Sequence, residues 1–397
     1  MRPRLLFAVT DAQSLALLRG QLAFARAAGA EVYVMSSLSA QAAGMALDER
    51  AAFLPVEIER SASPLRDLRA LCQIVRVVHD LSPDLIDAST PKAAFLLGVA
   101  GWLNRVPVRI HTLRGLRHET MHGVMRQVLL AIEWTTCRLA HRVICISPSL
   151  RDHAIELGVV DPGRAVALGA GCASGVDLRR FTRTPASGEA GRRFRSSHGI
   201  SAEARVVGFV GRIARDKGIA TLLEAWRRLR TLEDRYWLVV VGDLDATDPV
   251  DGTTLAALRA DPRVVMAGRL EQVATAYAAL DVLVLPSLRE GLGNVLVEAA
   301  AMELPVVASR IPGCVDAVQH GVTGELVPAA DPARWCAAIA RYLGDPELCA
   351  RHGGAGRQRV ERLFQQDAAL GRLVALYRTL LAAHGGAPLV ALSRGAS

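Results

Sequence analysis

The chain has 397 residues, 51% hydrophobic and 22% charged, a globular composition long enough for two domains and without an apolar run of the roughly 18 residues that span a bilayer. Its net charge of +8 is uneven: residues 1 to 185 carry 22 basic and 16 acidic groups, a balance of +6, and the remainder 25 and 23, a balance of +2. The seven cysteines (72, 137, 145, 172, 314, 336 and 349) include no C-x-x-C pair, which argues against a disulfide framework or a zinc site and for a reducing cytoplasm.

The opening "MRPRLLFAVTDAQS" has too short an apolar stretch for a signal peptide and reads as a first buried strand. From there, strand-like runs alternate with helix-length amphipathic segments, the pattern of parallel α/β architecture. In the first half the strands are expected at 4–10, 31–36, 53–58, 84–89, 108–113, 142–147 and 165–169, with helices such as 65–79 and 123–140 between them. The stretch "RTPASGEAGRRFRSSHG", 183 to 199, is rich in Pro, Gly, Ser and Arg without apolar periodicity and reads as the interdomain region. Further strands follow at 205–211, 236–242, 263–268, 281–287 and 305–309. The expected division is therefore a first domain over 1–182, a second over 183–365, and a segment 366–397 whose helix, about 366 to 384, packs back on the first domain before a disordered last dozen residues. The fold class expected is two Rossmann-like, doubly wound α/β domains facing a central cleft, with ligands at the carboxyl ends of the strands.

Two loops of the second domain carry chemistry. In "GFVGRIARDKG", 208 to 218, a strand ends at Gly211 and Arg212, Arg215 and Lys217 precede a helix starting near Ile219; cations beside free helix N–H groups suit a diphosphate. Lys217 also stands out because the chain has only two lysines, Lys92 and Lys217, beside 45 arginines. In "PSLREGLGNVLVEAAAMELPVVAS", 286 to 309, Glu290 precedes a glycine turn, the helix starts at Asn294, and Glu298 lies about one turn inside it. No G-x-G-x-x-G is present, which disfavours a nicotinamide oxidoreductase.

The block 286 to 328 resembles the donor-sugar site of the retaining nucleotide-sugar glycosyltransferases of family four, which have the two-domain GT-B fold, and "GRIARDKG", 211 to 218, sits where that family carries an Arg/Lys pair. "TPKAAFLLGVAGWLNRVPVRIHTLRGLRHET" and "RVICISPSLRDHAIELGVV" resemble its capsular polysaccharide, CapM-like branch. The resemblance implies that Glu290 contacts donor-sugar hydroxyls, that Glu298 binds the nucleotide ribose, and that Arg212 and Lys217 neutralise the leaving diphosphate. It further implies that backbone at Gly291, Leu292, Gly293, Asn294 and Val295 holds phosphate and sugar oxygens, and that Gly268, Arg269 and Leu270 lie against the base. No metal site and no cofactor beyond the donor are expected.

The chain departs from the family in its first domain. "VTDAQSLALLRG" replaces a glycine-rich turn, so contacts there would come from Thr10, Asp11 or Ser14. Arg114 stands where a His is usual; it takes that role, or His111 or His118 reaches in. Lys92, Arg114, Arg117, His118 and Arg126 form a candidate basic mouth for the acceptor, and a basic helix from about 121 to 140 is a candidate for weak contact with an anionic membrane surface.

The function expected is transfer of a sugar from a nucleotide diphosphate sugar, UDP-linked by preference of the family, to an acceptor hydroxyl with retention, metal-independent, in capsular or exopolysaccharide or lipid-linked oligosaccharide assembly. The alternatives are glycosylation of a small secondary metabolite or, in a different class, epimerisation or hydrolysis of a sugar nucleotide. The partners expected are the donor and a carbohydrate or lipid-linked acceptor, not nucleic acid, and the location expected is the cytoplasm, with the inner face of the cell membrane as a candidate site of weak contact.

Overall fold

The computed structural model of the chain describes residues 2–59, 63–171 and 174–390, and it forms two compact units, Met1–Gly175 with Gln366–Ser397 and Val176–Gln365. The terminal residues 391–397, part of the tail expected to be disordered, lie outside the described residues.

The first unit holds seven strands: β1 (Arg4–Ala8), β2 (Glu31–Ser36), β3 (Ala52–Pro55), β4 (Leu85–Ala88), β5 (Val108–Leu113), β6 (Arg142–Cys145) and β7 (Ala165–Ala167). They form one parallel sheet in the order β3-β2-β1-β4-β5-β6-β7. Successive side chains of a strand point to opposite faces, and here both faces are buried: Leu5, Phe7 and Val9 enter one apolar cluster, Leu6 and Ala8 another. That double burial is why the parallel strands read as continuous apolar runs.

The helix Gln366–Ala383 belongs to this unit, and its buried residues Leu370, Leu373, Val374, Tyr377, Leu380 and Leu381 recur at helical spacing, forming the stripe that covers the Phe7 face. At its centre the Tyr377 hydroxyl donates to Asp87 Oδ2 at 2.5 Å and accepts from Gln21 Nε2 at 2.9 Å, while Thr112 donates to Asp87 Oδ1 at 2.8 Å. Burial pushes the Asp87 carboxyl above its usual range, against the pull of these donors.

The second unit holds β8 (Arg205–Val210), β9 (Tyr236–Val241), β10 (Val264–Gly268), β11 (Val282–Leu285), β12 (Val306–Ser309) and β13 (Gly324–Val327), parallel in the order β10-β9-β8-β11-β12-β13. In both sheets the order reverses beside the first strand, between β1 and β4 and between β8 and β11. Such reversal points open a crevice at the strands' carboxyl ends.

The stretch expected to link the domains is instead largely a helix, Pro185–Ser197. Thr184 and Ser187 form a reciprocal capping box and Pro185 occupies the first turn, both favourable at a helix start. Gly191 and Phe194 are its buried residues, too few for a visible apolar period. The seam between the units falls before Val176 rather than at 182/183, because Val176 N–H already bonds the Phe364 carbonyl at 2.7 Å and Phe181 packs edge-on against Tyr277.

Replacing Tyr377 with Phe leaves a buried Asp87 oxygen without its donor, and Tyr377→Phe is expected to lower the stability of the first unit by about 1–3 kcal/mol. Chemical unfolding checks this; an unchanged midpoint would show that the hydrogen bond contributes nothing to holding the returning helix.

Candidate functional site

The site is assembled where β8 and β11 lie side by side. After β8 the chain turns at Gly211, makes a short 3-10 turn over Arg215–Lys217, and reaches Gly218 in the left-handed region at φ +69°. A Cβ at Gly218 would stand 2.0 Å from the Pro286 carbonyl oxygen, so only glycine lets the two loops approach this closely. The approach brings Lys217 Nζ to 2.8 Å from Glu290 Oε1 and 3.4 Å from the Arg289 carbonyl oxygen. Ser287 Oγ donates to the same Glu290 oxygen at 2.7 Å. Both side chains are largely buried, 13% exposed for Lys217 and 14% for Glu290, so the pair sits in a medium that screens it less than water does.

Asp216 is the hub beneath this pair. Its side chain is 2% exposed, and Oδ2 faces Arg289 Nη2 at 2.9 Å, Arg212 Nη2 at 3.4 Å and Lys217 Nζ at 3.9 Å. Its backbone ties the neighbouring loops together, with its N–H donating to Asp248 Oδ2 at 2.8 Å and its carbonyl accepting from Leu288 N–H at 2.8 Å. Arg212 also binds Asp245, and Arg215 Nε lies 3.1 Å from Asp248 Oδ1. Burial alone would raise the Asp245 carboxyl, but hydrogen bonds from Thr247 and Arg212 outweigh it and hold the group down at about 2. The cations Arg212, Arg215, Lys217 and Arg289 thus face the carboxylates Asp216, Asp245, Asp248 and Glu290, four against four.

After β11 the turn through Gly291, Leu292 and Gly293 is buried, and it leads into the helix Asn294–Ala301 with Asn294 exposed and Val295 half-buried. A Cβ on Gly313 would stand 2.7 Å from the Gly291 carbonyl, so the following loop packs directly against this turn. The first N–H groups of a helix lack intrahelical partners and favour anions. One turn along, Glu298 Oε2 accepts from the Tyr277 hydroxyl at 2.8 Å. Burial, then the Glu298 charge, pushes that hydroxyl well above its usual range, so Tyr277 stays a donor. Gly268 ends β10 at φ +65° and its carbonyl accepts from Gly242 N–H at 2.9 Å; Arg269 is exposed, with Nη1 4.0 Å from Asp243, and Leu270 is half-buried.

The structure thus brings Arg212, Lys217 and Glu290 into one cluster at the reversal point of the second sheet. Sequence reasoning missed Asp216 as hub, and also Ser287, Arg289, Asp245 and Tyr277. Ser287 and Arg289 stand beside Glu290 in the quoted motif and were the readable signals; Asp245 and Tyr277 become partners only through the fold, and Asp216 becomes a hub only when the fold buries it.

The first-unit candidates are engaged otherwise. Thr10 and Thr90 share a hydrogen bond of 2.7 Å at the reversal point of the first sheet. Asp11 Oδ1 accepts from Ser14 N–H at 3.0 Å and caps the helix Ala12–Leu15. Lys92 Nζ bonds Asp67 Oδ1 at 2.7 Å. Arg114 Nη2 donates to the Leu17 carbonyl at 3.0 Å. His118 does not reach out as a sugar contact: it is 1% exposed and held on Glu133, which also accepts from Arg117 N–H at 2.7 Å. His111 is likewise buried, with a ring nitrogen 3.1 Å from the Ala88 carbonyl oxygen, and burial lowers it to about 4, which keeps it neutral. Of the three alternatives for the position after β5, Arg114 is the one that is half-buried, whereas His111 and His118 are buried.

Because Asp245 is held at about 2, below its ordinary 3.8, its bonds to Thr247 and Arg212 stabilise the second unit above pH 3.8 and lose that effect as pH falls through about 2. Asp245→Asn is therefore expected to shrink the loss of stability between pH 4 and pH 2, as followed by unfolding over that range. An identical acid dependence in the variant would show that Asp245 does not hold Arg212 in this way.

Comparison with known proteins adds an independent line. The family described as "Glycosyltransferase Family 4" matches residues 22–171, and "Glycosyl transferases group 1" matches residues 204–345. The chain is 30% identical over 373 residues to the capsular polysaccharide biosynthesis glycosyltransferase CapM of Staphylococcus aureus, covering 94% of this chain and 96% of that protein. It is 33% identical over 330 residues to a D-inositol 3-phosphate glycosyltransferase of Corynebacterium urealyticum, covering 76% and 73%. Among solved structures, HepE of Anabaena in complex with UDP and glucose superposes with a TM-score of 0.79 at 20% identity, over 95% of this chain and all of that one. Sucrose-phosphate synthase of Thermosynechococcus elongatus superposes with 0.78 at 23% identity, over 96% and 100%. Two parallel Rossmann-like sheets, the second bearing the Lys217–Glu290 cluster at its reversal point, together with a match to CapM along nearly the whole chain, place this protein in the family-four glycosyltransferases of GT-B fold, in the CapM-like branch.

Proposed function

We propose that the protein moves a glycosyl group, with retention, from a UDP-linked sugar to a hydroxyl of a saccharide or lipid-linked saccharide in polysaccharide assembly. The observation that carries this reading is the Lys217–Glu290 pair at 2.8 Å, set between two loops at the reversal point of the sheet and beside the helix start at Asn294. The description of CapM supports the polysaccharide setting, and the HepE structures that hold UDP and UDP-glucose support the donor class.

In the proposed reaction the bond between the anomeric carbon and the leaving phosphate oxygen breaks, positive charge grows on the sugar and negative charge on the diphosphate. Lys217, Arg212 and the N–H groups of the turn through Val295 stabilise the diphosphate as that charge develops. Glu290, held by Ser287 and Lys217, turns its second oxygen to the sugar hydroxyls, and Glu298, held by Tyr277, takes the ribose. The base lies against Gly268, Arg269 and Leu270. The acceptor oxygen bonds to the anomeric carbon from the face the phosphate leaves, and its proton passes to the departing phosphate oxygen. All the positive charge in this scheme comes from the chain, and no metal or further cofactor takes part in it.

Acceptor binding falls to the first unit, with Thr10, Asp11, Ser14, Lys92 and Arg114 as candidates. We also assign weak membrane contact to the helix Gly123–Leu139. Val124 (80% exposed), Met125 (54%) and Trp134 (44%) stand on its surface, and the Arg138 guanidinium lies 4.8 Å from the Trp134 ring centroid. Apolar side chains among cations suit an anionic interface.

Lys217→Ala and Glu290→Ala are each expected to lower kcat by on the order of 10- to 100-fold or more, the loss of a charge-assisted contact in a desolvated site, with the circular dichroism spectrum retained. Lys217→Arg is expected not to restore the rate, since a planar fork does not replace a compact ammonium there. Near-normal turnover by Glu290→Ala in a donor-consumption assay would reject the assignment. Vesicles containing anionic lipid are expected to float the protein, with Val124→Glu and Met125→Glu, or added salt, weakening the association. No flotation at low salt would remove the membrane contact from the proposal.

A further inference from the structure

The strand β13 lies at the edge of the second sheet, and its outward backbone groups meet side chains and a turn instead of another strand. Leu326 N–H donates to His320 Nδ1 at 3.1 Å, the Leu326 carbonyl accepts from Arg310 Nη2 at 3.2 Å, and the Gly324 carbonyl accepts from Gly321 N–H at 2.8 Å. These bonds block addition of a further strand, the usual hazard of a sheet edge. They also tether the exposed side chains of His320 and Arg310 to the edge strand.

Both residues line a cavity of about 410 Å³ beside β13, where Arg334 and Arg341 of the helix Pro332–Gly344 also lie. This size is in the range of ligand cavities, about 300–1,000 Å³. Its polar lining consists mostly of donors. With Nδ1 accepting from Leu326, a neutral His320 carries its proton on Nε2 and is a second donor. The one carboxylate in the lining, Glu325, is bound by Arg341, and Arg334 Nε lies 3.3 Å from Asp331. Arg310 has no ion-pair partner among the described residues. Leu326, Pro328, Ala337 and Ala338 supply apolar surface between these groups. Surplus donors around a compact apolar floor complement a ring that bears an anionic group.

We propose that this cavity binds a small acidic sugar derivative, a pyranose carrying a phosphate or a carboxylate, at a site separate from the Lys217–Glu290 cluster. The site borders β13, which is separated from β11 by β12, and its lining includes none of Arg212, Lys217, Glu290 or Glu298. The ring rests on the apolar floor and its anion meets Arg310 and His320, with Arg334 at the rim.

The test is hydrogen exchange on the full-length protein titrated with glucose 1-phosphate, glucuronate, glucose and inorganic phosphate, read in the segment 318–341. Glucose 1-phosphate or glucuronate is expected to protect that segment at least tenfold more tightly than glucose or inorganic phosphate, and the tighter of the two identifies the acidic group. The double variant Arg310→Gln, Arg334→Gln is expected to weaken binding there at least tenfold. Ala337→Phe, which fills the cavity without changing its charge, is expected to do the same, and Lys217→Ala to leave it unchanged. No protection of 318–341 by either acidic sugar, protection equal to that from phosphate alone, or protection that survives both cavity variants would overturn the proposal.

Discussion

The Pro286 carbonyl oxygen stands only 2.0 Å from where a Cβ of residue 218 would be, and the geometry of the site depends on that position being glycine. Without this approach the loops after β8 and β11 would be held apart by a side chain, and Lys217 could not reach Glu290. With it, a cation from one loop and an acid from the other meet at the reversal point of the sheet, where open parallel sheets bind ligands. The parallel order of the strands creates the crevice, and the glycine sets its width.

The charge balance of the cluster bears on how it would act. Four cations and four carboxylates already pair with one another, although Asp216 Oδ1 and Arg289 Nε are buried without a hydrogen-bond partner among the described residues, so a diphosphate would bind by sharing cations that Asp216 and Asp245 hold, not by meeting bare positive charge. Such preorganisation costs stability where charges are desolvated but leaves little to rearrange when negative charge develops. Arg215, 63% exposed, and Arg212, 45% exposed, are the cations open to a ligand, whereas Lys217 and Arg289 are largely enclosed.

Much of this was readable in the chain. Buried parallel strands announce themselves as apolar runs, which is why "RVVGFVG" and "DVLVLPS" read correctly, and the helix starts at Ile219 and Asn294 follow from the glycines before them. β13, only four residues long at an edge, carries no such run, and the helix Pro185–Ser197 hides because it packs through Gly191 and Phe194 instead of an apolar stripe. The acids and the Arg/Lys pair stood out by spacing. Asp216 did not, since an acid between Arg215 and Lys217 reads as a solvated charge until the fold buries it. His118 misled for the converse reason: its partner Glu133 lies fifteen residues on and meets it only in three dimensions.

The claim at the centre of this account is that Lys217 acts on the diphosphate and Glu290 on the transferred sugar, and binding separates the two without relying on turnover. Calorimetric titration of the wild type, Lys217→Gln and Glu290→Gln with UDP and with a UDP-sugar measures it directly. The account predicts that Lys217→Gln weakens both ligands, whereas Glu290→Gln weakens the UDP-sugar and leaves UDP within a few-fold of the wild type. Equal weakening of UDP and the UDP-sugar by Glu290→Gln, or UDP binding untouched by Lys217→Gln, would contradict it.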